Sequence, residues 1–231
     1  MSRHPLASIA FCLHLGLAGA AAGDPVVVEL FTSQGCATCP PADAMLGELA
    51  EREDVIALSL HVDYWDWIGW PDAFAHSAFT ARQRAYAEAA HSNVVYTPQF
   101  VVGGVDHVEG ATPMHLAQVI EAHGDASRDV LRMAMTSKGR EAIATPVEGG
   151  GRIVLVTFRP KAVVEVEGGE NAGRVIAYHN VVEGWEVLAE WDGSETAFTL
   201  PDPPPGRKQA VIAQSWKNGK PGRVLGAVRT D

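Results

Sequence analysis

Val26-Val27-Val28-Glu29-Leu30-Phe31-Thr32-Ser33-Gln34-Gly35-Cys36-Ala37-Thr38-Cys39-Pro40-Pro41-Ala42 passes from a buried β run through a turn into the start of a helix. The run to Phe31 is continuously apolar apart from Glu29, and Thr32 to Gly35 are turn residues. Beyond Pro40, Ala42, Met45, Leu46 and Leu49 fall at i, i+3, i+4 and i+7, which predicts a helix from about 39 to 52. A cysteine in the turn before that helix meets the positive end of its dipole and its unpaired N–H groups, which stabilise a thiolate and lower the thiol pKa. A second cysteine three residues on can close a disulfide with it. Together these are the elements of thiol–disulfide exchange.

The residues before this stretch set the compartment. Arg3 and His4 form a short basic segment, Leu6 to Ala18 is apolar but too short to span a bilayer, and Ala20-Ala21-Ala22 supplies small residues for cleavage. Residues 1–22 therefore read as a secretory signal peptide, which predicts a periplasmic or secreted protein with no stable membrane insertion once it is removed. Cys12 falls inside that segment, so Cys36 and Cys39 remain as a single tight pair, more suited to reactivity than to stapling a scaffold. The charge balance, 18 Lys and Arg against 28 Asp and Glu for a net −10, disfavours nucleic acid and anionic lipid surfaces as partners.

Downstream, Val55 to Val62 reads as a second buried strand, parallel to the first through a right-handed crossover. An aromatic loop at 64–71 leads into a helix at 73–91 with Ala75, Phe79, Tyr86 and Ala90 on one face. Thr97 to Val102 is a strand ending at Gly103-Gly104, a hairpin signal, with Val105 to Val108 as its partner. Thr112 caps a helix that has Pro113 at its first position and Leu116, Val119, Ile120 and His123 along one side. From about 126 the pattern changes to short strands (131–136, 142–146, 153–158, 175–182, 185–190, 196–200, 209–215 and 224–228) separated by Gly, Pro and Asn-Gly turns. That predicts a second unit, 126–231, built as an antiparallel sandwich or partial barrel after an α/β unit at 23–125.

A dithiol at a strand–helix turn, a β-α-β unit, Thr97-Pro98 opening a hairpin and a closing helix together resemble the thioredoxin fold over roughly 24–125. More narrowly, Glu29 to Cys36, Cys39-Pro40-Pro41-Ala42-Asp43, His61-Val62-Asp63-Tyr64-Trp65-Asp66 and Tyr96-Thr97-Pro98-Gln99 resemble the DUF1223 family of secreted thioredoxin-like proteins, with the likeness running into the C-terminal half. The resemblance implies a thioredoxin-like first unit, so with the strand pattern beyond it the expected fold is an α/β thioredoxin-like domain followed by an all-β domain. The resemblance also implies a redox role and supplies no known substrate; the expectation drawn from the residues is an exported thiol–disulfide oxidoreductase acting on protein or small-molecule thiols and disulfides, without a cofactor. Cys36 would be the exposed nucleophile and Cys39 the resolving cysteine. Pro98 would be a cis-proline facing the dithiol, with the Thr97 backbone ready to pair with a peptide. Glu29 would lie near the place of a buried carboxylate that moves a proton to or from Cys39.

The residues leave alternatives open. His61 and Asp63 share a strand face and could form a proton relay, or His61 could join Cys36 and Cys39 as a copper or zinc ligand in a metal-delivery module. An inert dithiol on a non-catalytic interaction protein is a third reading. Trp65, Trp67 and Trp70 could rim a groove for a peptide or pack beneath their own loop. His179-Asn180 reads as a polar strand pair, and Asp43 as a complement to the helix dipole.

Overall fold

The computed structural model describes residues 23–109, 112–124 and 129–230. The expected signal peptide at 1–22 and the expected boundary at 125/126 lie outside the described residues. No described helix is long and apolar enough to cross a membrane.

The first strand, β1 (Val26–Thr32), is buried at every position and runs into α1 (Pro40–Ala50). β2 (Val55–His61) then pairs parallel to β1, Val26 opposite Val55 and Thr32 opposite His61. After α2 (Ser77–Ala89), β3 (Gln99–Val102) adds antiparallel to β1 and β4 (Asp106–Val108) pairs with β3. α3 is Pro113–Gly124. α2 is shorter than the expected 73–91 because His76 is its N-cap, its ring nitrogen accepting from Ala78 N–H, and residues 73–76 belong to the preceding loop.

The second half is not a separate sandwich or barrel. β7 (Gly151–Glu165), β8 (Val175–Trp191), β10 (Lys208–Lys217) and β11 (Lys220–Arg229) extend the first sheet across β2, in the order β11-β10-β7-β8-β2-β1-β3-β4. Only β5 (Leu131–Thr136), β6 (Gly139–Ala144) and β9 (Thr196–Thr199) form a sheet of their own. Strands take 44% of the described residues and helices 21%, so the expected thioredoxin-like α/β domain followed by an all-β domain gives way to a mostly β architecture around one mixed sheet. The physical reason is the edge of β2. All seven of its residues are buried, and its outer hydrogen-bonding groups need a partner, which β8 supplies. The splice is short, Ser59 opposite Val181, and Asn180 secures it: at φ 47° its side-chain N–H donates to Ala57 O at 2.9 Å. The two strands expected at 175–182 and 185–190 are one, β8, with a register irregularity against β7 between Thr157 and Phe158.

Alternation along the strands divides the core by face. Val27, Phe31, Ile56, Leu58 and Leu60 pack with Phe79 and Tyr86 of α2 and with Val154, Val156 and Ile212 of the added strands. Val26, Val28, Leu30, Val55 and Ala57 pack instead with Leu46 of α1 and with Leu116 and Ile120 of α3. The small sheet covers the added strands, Leu131, Ala142 and Ala144 meeting Ile153, Leu155 and Val211.

Candidate functional site

Cys36 and Cys39 form a disulfide, S–S 2.12 Å, in the turn joining β1 to α1. Cys36 N–H donates to Ser33 O and Cys39 N–H to Cys36 O, while Cys39 O accepts from Ala42 N–H and Asp43 N–H, so Cys39 is the N-cap of α1. Prolines at 40 and 41 suit the first turn because those N–H groups have no helical partner anyway. They also leave the helix dipole, without its usual free N–H donors, as the helix's contribution to a sulfur there.

Burial departs from expectation. Cys36 is only 1% exposed and Cys39 0%, while Ala37 and Thr38 between them are exposed. The resemblance implies an exposed Cys36; in the oxidised protein the residue is buried. The turn that carries it is held by residues from distant parts of the chain. Asn171, in the 3-10 turn Gly169–Asn171 between β7 and β8, donates from Nδ2 to Gln34 O and Cys36 O, both at 2.9 Å. Trp70 Nε1 donates to Gln34 Oε1 at 2.8 Å.

Beside the disulfide runs a groove of about 460 Å³ lined by Thr38, Pro41, Met45, Thr97, Pro98 and Glu109, among others. The Thr97–Pro98 peptide bond is cis. Trp65 Nε1 donates to Thr97 Oγ1 at 2.8 Å, tying the aromatic loop to this wall. Gln83 steadies the approach, donating to Tyr96 O and Gln99 Oε1. Trp65 and Trp70 are thus partly packed, whereas Trp67 stands 81% exposed.

Behind the disulfide lies a sealed polar cluster. Asp43 sits four residues after Cys39, the spacing that puts two positions on one helix face a turn apart. It is 2% exposed, and neither carboxylate oxygen has a hydrogen-bond partner. Burial pushes its pKa up to about 7, with nearby His61 and Thr32 opposing the shift and Asp72 adding to it. The sequence pattern reads Asp43 as a dipole complement; its burial under β8 makes it a protonatable group instead. His61 is fully buried, its Nδ1 2.7 Å from Asp72 Oδ2. Asp72 also accepts from Gln34 N–H and Phe74 N–H, so Nδ1 carries the proton toward it, while Nε2 has no partner. Tyr178 of β8 lies against the His61 ring, centroids 4.8 Å apart, with its hydroxyl also unpartnered.

Three candidates fall elsewhere. Glu29 is buried but held by Arg82, at 2.6 and 2.8 Å, and by the Tyr86 hydroxyl at 2.6 Å, in a network reaching Gln214 of β10. Its carboxylate is occupied as an ion-pair acceptor joining β1, α2 and β10, not as a proton carrier for Cys39. Asp63 accepts from Thr80 Oγ1 of α2 at 2.5 Å rather than working with His61. Among the described residues, no three His, Cys, Asp or Glu side chains converge as a metal site, so Cys36, Cys39 and His61 are not brought together as a ligand set.

Asp72 and Asn171 are site residues that the sequence pattern does not single out. A Pro-Asp pair in an aromatic loop is a faint signal for the first. Asn171 lies 135 positions from Cys36 and carries none.

No curated protein matches the chain. The solved structure of protein AGR_C_4864 from Agrobacterium tumefaciens is similar at 30% identity and a TM-score of 0.77, covering 91% of this chain and 96% of that one. HBP35 of Porphyromonas gingivalis, at 14% identity, shares the fold with a TM-score of 0.61 over 91% of this chain and 76% of that one. The family model described as a protein of unknown function, DUF1223, matches residues 27–214, and the chain belongs to that family.

Proposed function

We propose that this chain is an exported, thioredoxin-like thiol–disulfide exchange protein whose redox centre is the Cys36–Cys39 disulfide. The observation that carries the reading is the pairing of that disulfide with a buried carboxyl one helical turn behind it. Asp43 titrates near neutrality, so it can hold a proton for the sulfur that leaves and take it back when the bond re-forms.

A partner thiolate attacks Cys36 Sγ, the Cys36–Cys39 bond breaks, and its electron pair stays on Cys39 Sγ. Asp43 gives that sulfur a proton and is left as a carboxylate beside His61. A second thiol of the partner, as thiolate, then attacks the partner's own sulfur in the mixed disulfide, releasing Cys36 as a thiolate. The partner leaves as a disulfide and the chain as a dithiol; the reverse sequence oxidises the chain. The groove along Thr38, Pro41, Thr97 and Pro98 is where an extended partner segment would lie. The partners in this reading are thiols and disulfides of proteins or small molecules in the periplasm or outside the cell.

Trapping tests it. Cys39→Ser lacks the resolving sulfur, so the reduced variant should accumulate a mixed disulfide at Cys36 with oxidised glutathione, visible as a mass increase. Wild type should release it as it closes its own disulfide. A Cys39→Ser protein that never captures a sulfur would refute exchange.

A further inference from the structure

Residues 166–174 join the two longest strands, β7 and β8, and fold over the Cys36–Cys39 turn. The base of this hairpin is anchored. Val166, Ile176, Tyr178 and Val181 form a small apolar core with Trp70 and Phe74. The tip is different, since Asn171 grips it to the turn through the two Nδ2–H bonds to Gln34 O and Cys36 O. Each side of this seam leaves a buried polar atom without a partner, Asn171 Oδ1 above and Gln34 Nε2 below. An amide that makes hydrogen bonds with one end while desolvating the other gains little from staying closed. Glycines surround the grip. Gly169 and Gly173 have φ of 70° and 80°, and a side chain on Gly168 would run into Gly69 O, so the tip lies flat against the aromatic loop.

We propose that the 166–174 tip is a lid latched by Asn171, and that it lifts before a partner sulfur reaches Cys36. Attack on a disulfide needs a clear approach to the sulfur; Cys36 is 1% exposed, and the tip is bonded to the backbone of its turn at Gln34 O and Cys36 O. The inference rests on the exchange reading and gives the C-terminal half a role in it. The strands that extend the sheet carry a cover that decides when the redox centre opens.

The kinetics of reduction test this directly. Oxidised protein is mixed with increasing dithiothreitol and, separately, glutathione. Lid opening as a required step makes the rate level off at one ceiling shared by both reagents. Asn171→Ala should raise that ceiling at least tenfold. Asn171→Asp, which sets a carboxylate against two carbonyl oxygens at unchanged size, should raise it too, and guards against a packing artefact in the alanine variant. A rate proportional to reagent concentration throughout, with the same slope in all three proteins, overturns the lid. So does a disulfide that dithiothreitol cannot reach even in Asn171→Ala. If reduction is gated as described while Cys39→Ser captures no partner sulfur, the lid stands and the exchange reading alone fails.

Discussion

His61 Nδ1 meets Asp72 Oδ2 at 2.7 Å with both side chains fully buried. Because Asp72 also takes Gln34 N–H and Phe74 N–H, this pair fastens the end of β2, the aromatic loop and the cysteine turn into one unit. Removing the carboxylate strands three donors at once. Asp72→Ala should therefore destabilise the oxidised protein, by about 1–3 kcal/mol for each buried donor left without a partner. Urea unfolding should show this as a lower midpoint with an unchanged slope. A loss within ~0.5 kcal/mol would mean the pair is not holding the turn.

Asp43 makes stability and chemistry depend on pH in a defined direction. Its pKa is raised from 3.8 to about 7 in the folded state, so the folded protein binds this proton more tightly than the unfolded chain does. The stability it provides is complete below about pH 4 and is lost as pH rises through 7, a fall of up to roughly 4 kcal/mol. Asp43→Asn should abolish that fall, so the variant is more stable than wild type at pH 8 and close to it near pH 4. In exchange, the rate per thiolate should drop in wild type above pH 7. In Asp43→Asn it should be flat and about 100-fold lower, the lower end of a typical general-acid contribution. Thermal melts across pH and reduction at low thiol concentration check the two halves separately. A slowed variant that keeps the wild-type pH profile would remove Asp43 from the proton path.

The network around Glu29 should behave as structure alone. Arg82 is enclosed by Glu29, Tyr86, Gln214 and the face of Trp185, 3.7 Å from its guanidinium carbon. Arg82→Met leaves Glu29 as an uncompensated buried charge and should cost about 3–5 kcal/mol. Glu29→Gln keeps the shape, loses the ion pair and should be destabilised while its exchange pH profile stays that of wild type. Circular-dichroism melts and the reduction assay, run on the same samples, separate these effects. A changed profile in Glu29→Gln would return Glu29 to the redox centre.

What the sequence makes legible here is local. β1, the turn, α1 and β2 follow from apolar period and turn residues within a few positions of each other, and Thr97-Pro98 stands out in the same way. What it hides is created by contacts between distant segments. The sheet is continuous because β8 closes the β2 edge through Ser59, Val181 and an Asn180 in a left-handed conformation, and no short-range pattern encodes which edge a strand joins. Asp43 looks like any acidic residue at a helix start. Only β8 lying over α1, so close that a Cβ on Gly47 would sit 3.0 Å from the His179 ring, makes the buried side of that helix visible. The hydrogen bonds that Asn171 makes to Gln34 O and Cys36 O likewise come from a turn more than a hundred residues away.

Tyr178 offers the cleanest separation of packing from polarity in the cluster. Its ring sits 4.8 Å from His61 and 6.0 Å from Phe74, edge to face with both. Its hydroxyl is buried without a partner, and burial pushes its pKa well up, with Asp43 and Asp72 adding to the effect. Removing only that oxygen keeps the aromatic contacts and relieves an unsatisfied buried group, which costs about 1–3 kcal/mol. Tyr178→Phe should therefore raise stability by about 1 kcal/mol, whereas Tyr178→Ala, which opens a cavity against His61, should lower it by about 3–5 kcal/mol. Denaturant midpoints of the two variants check the contrast. Were Tyr178→Phe destabilised instead, the hydroxyl would be hydrogen-bonded within the cluster and the sealed pocket behind Cys39 would hold water.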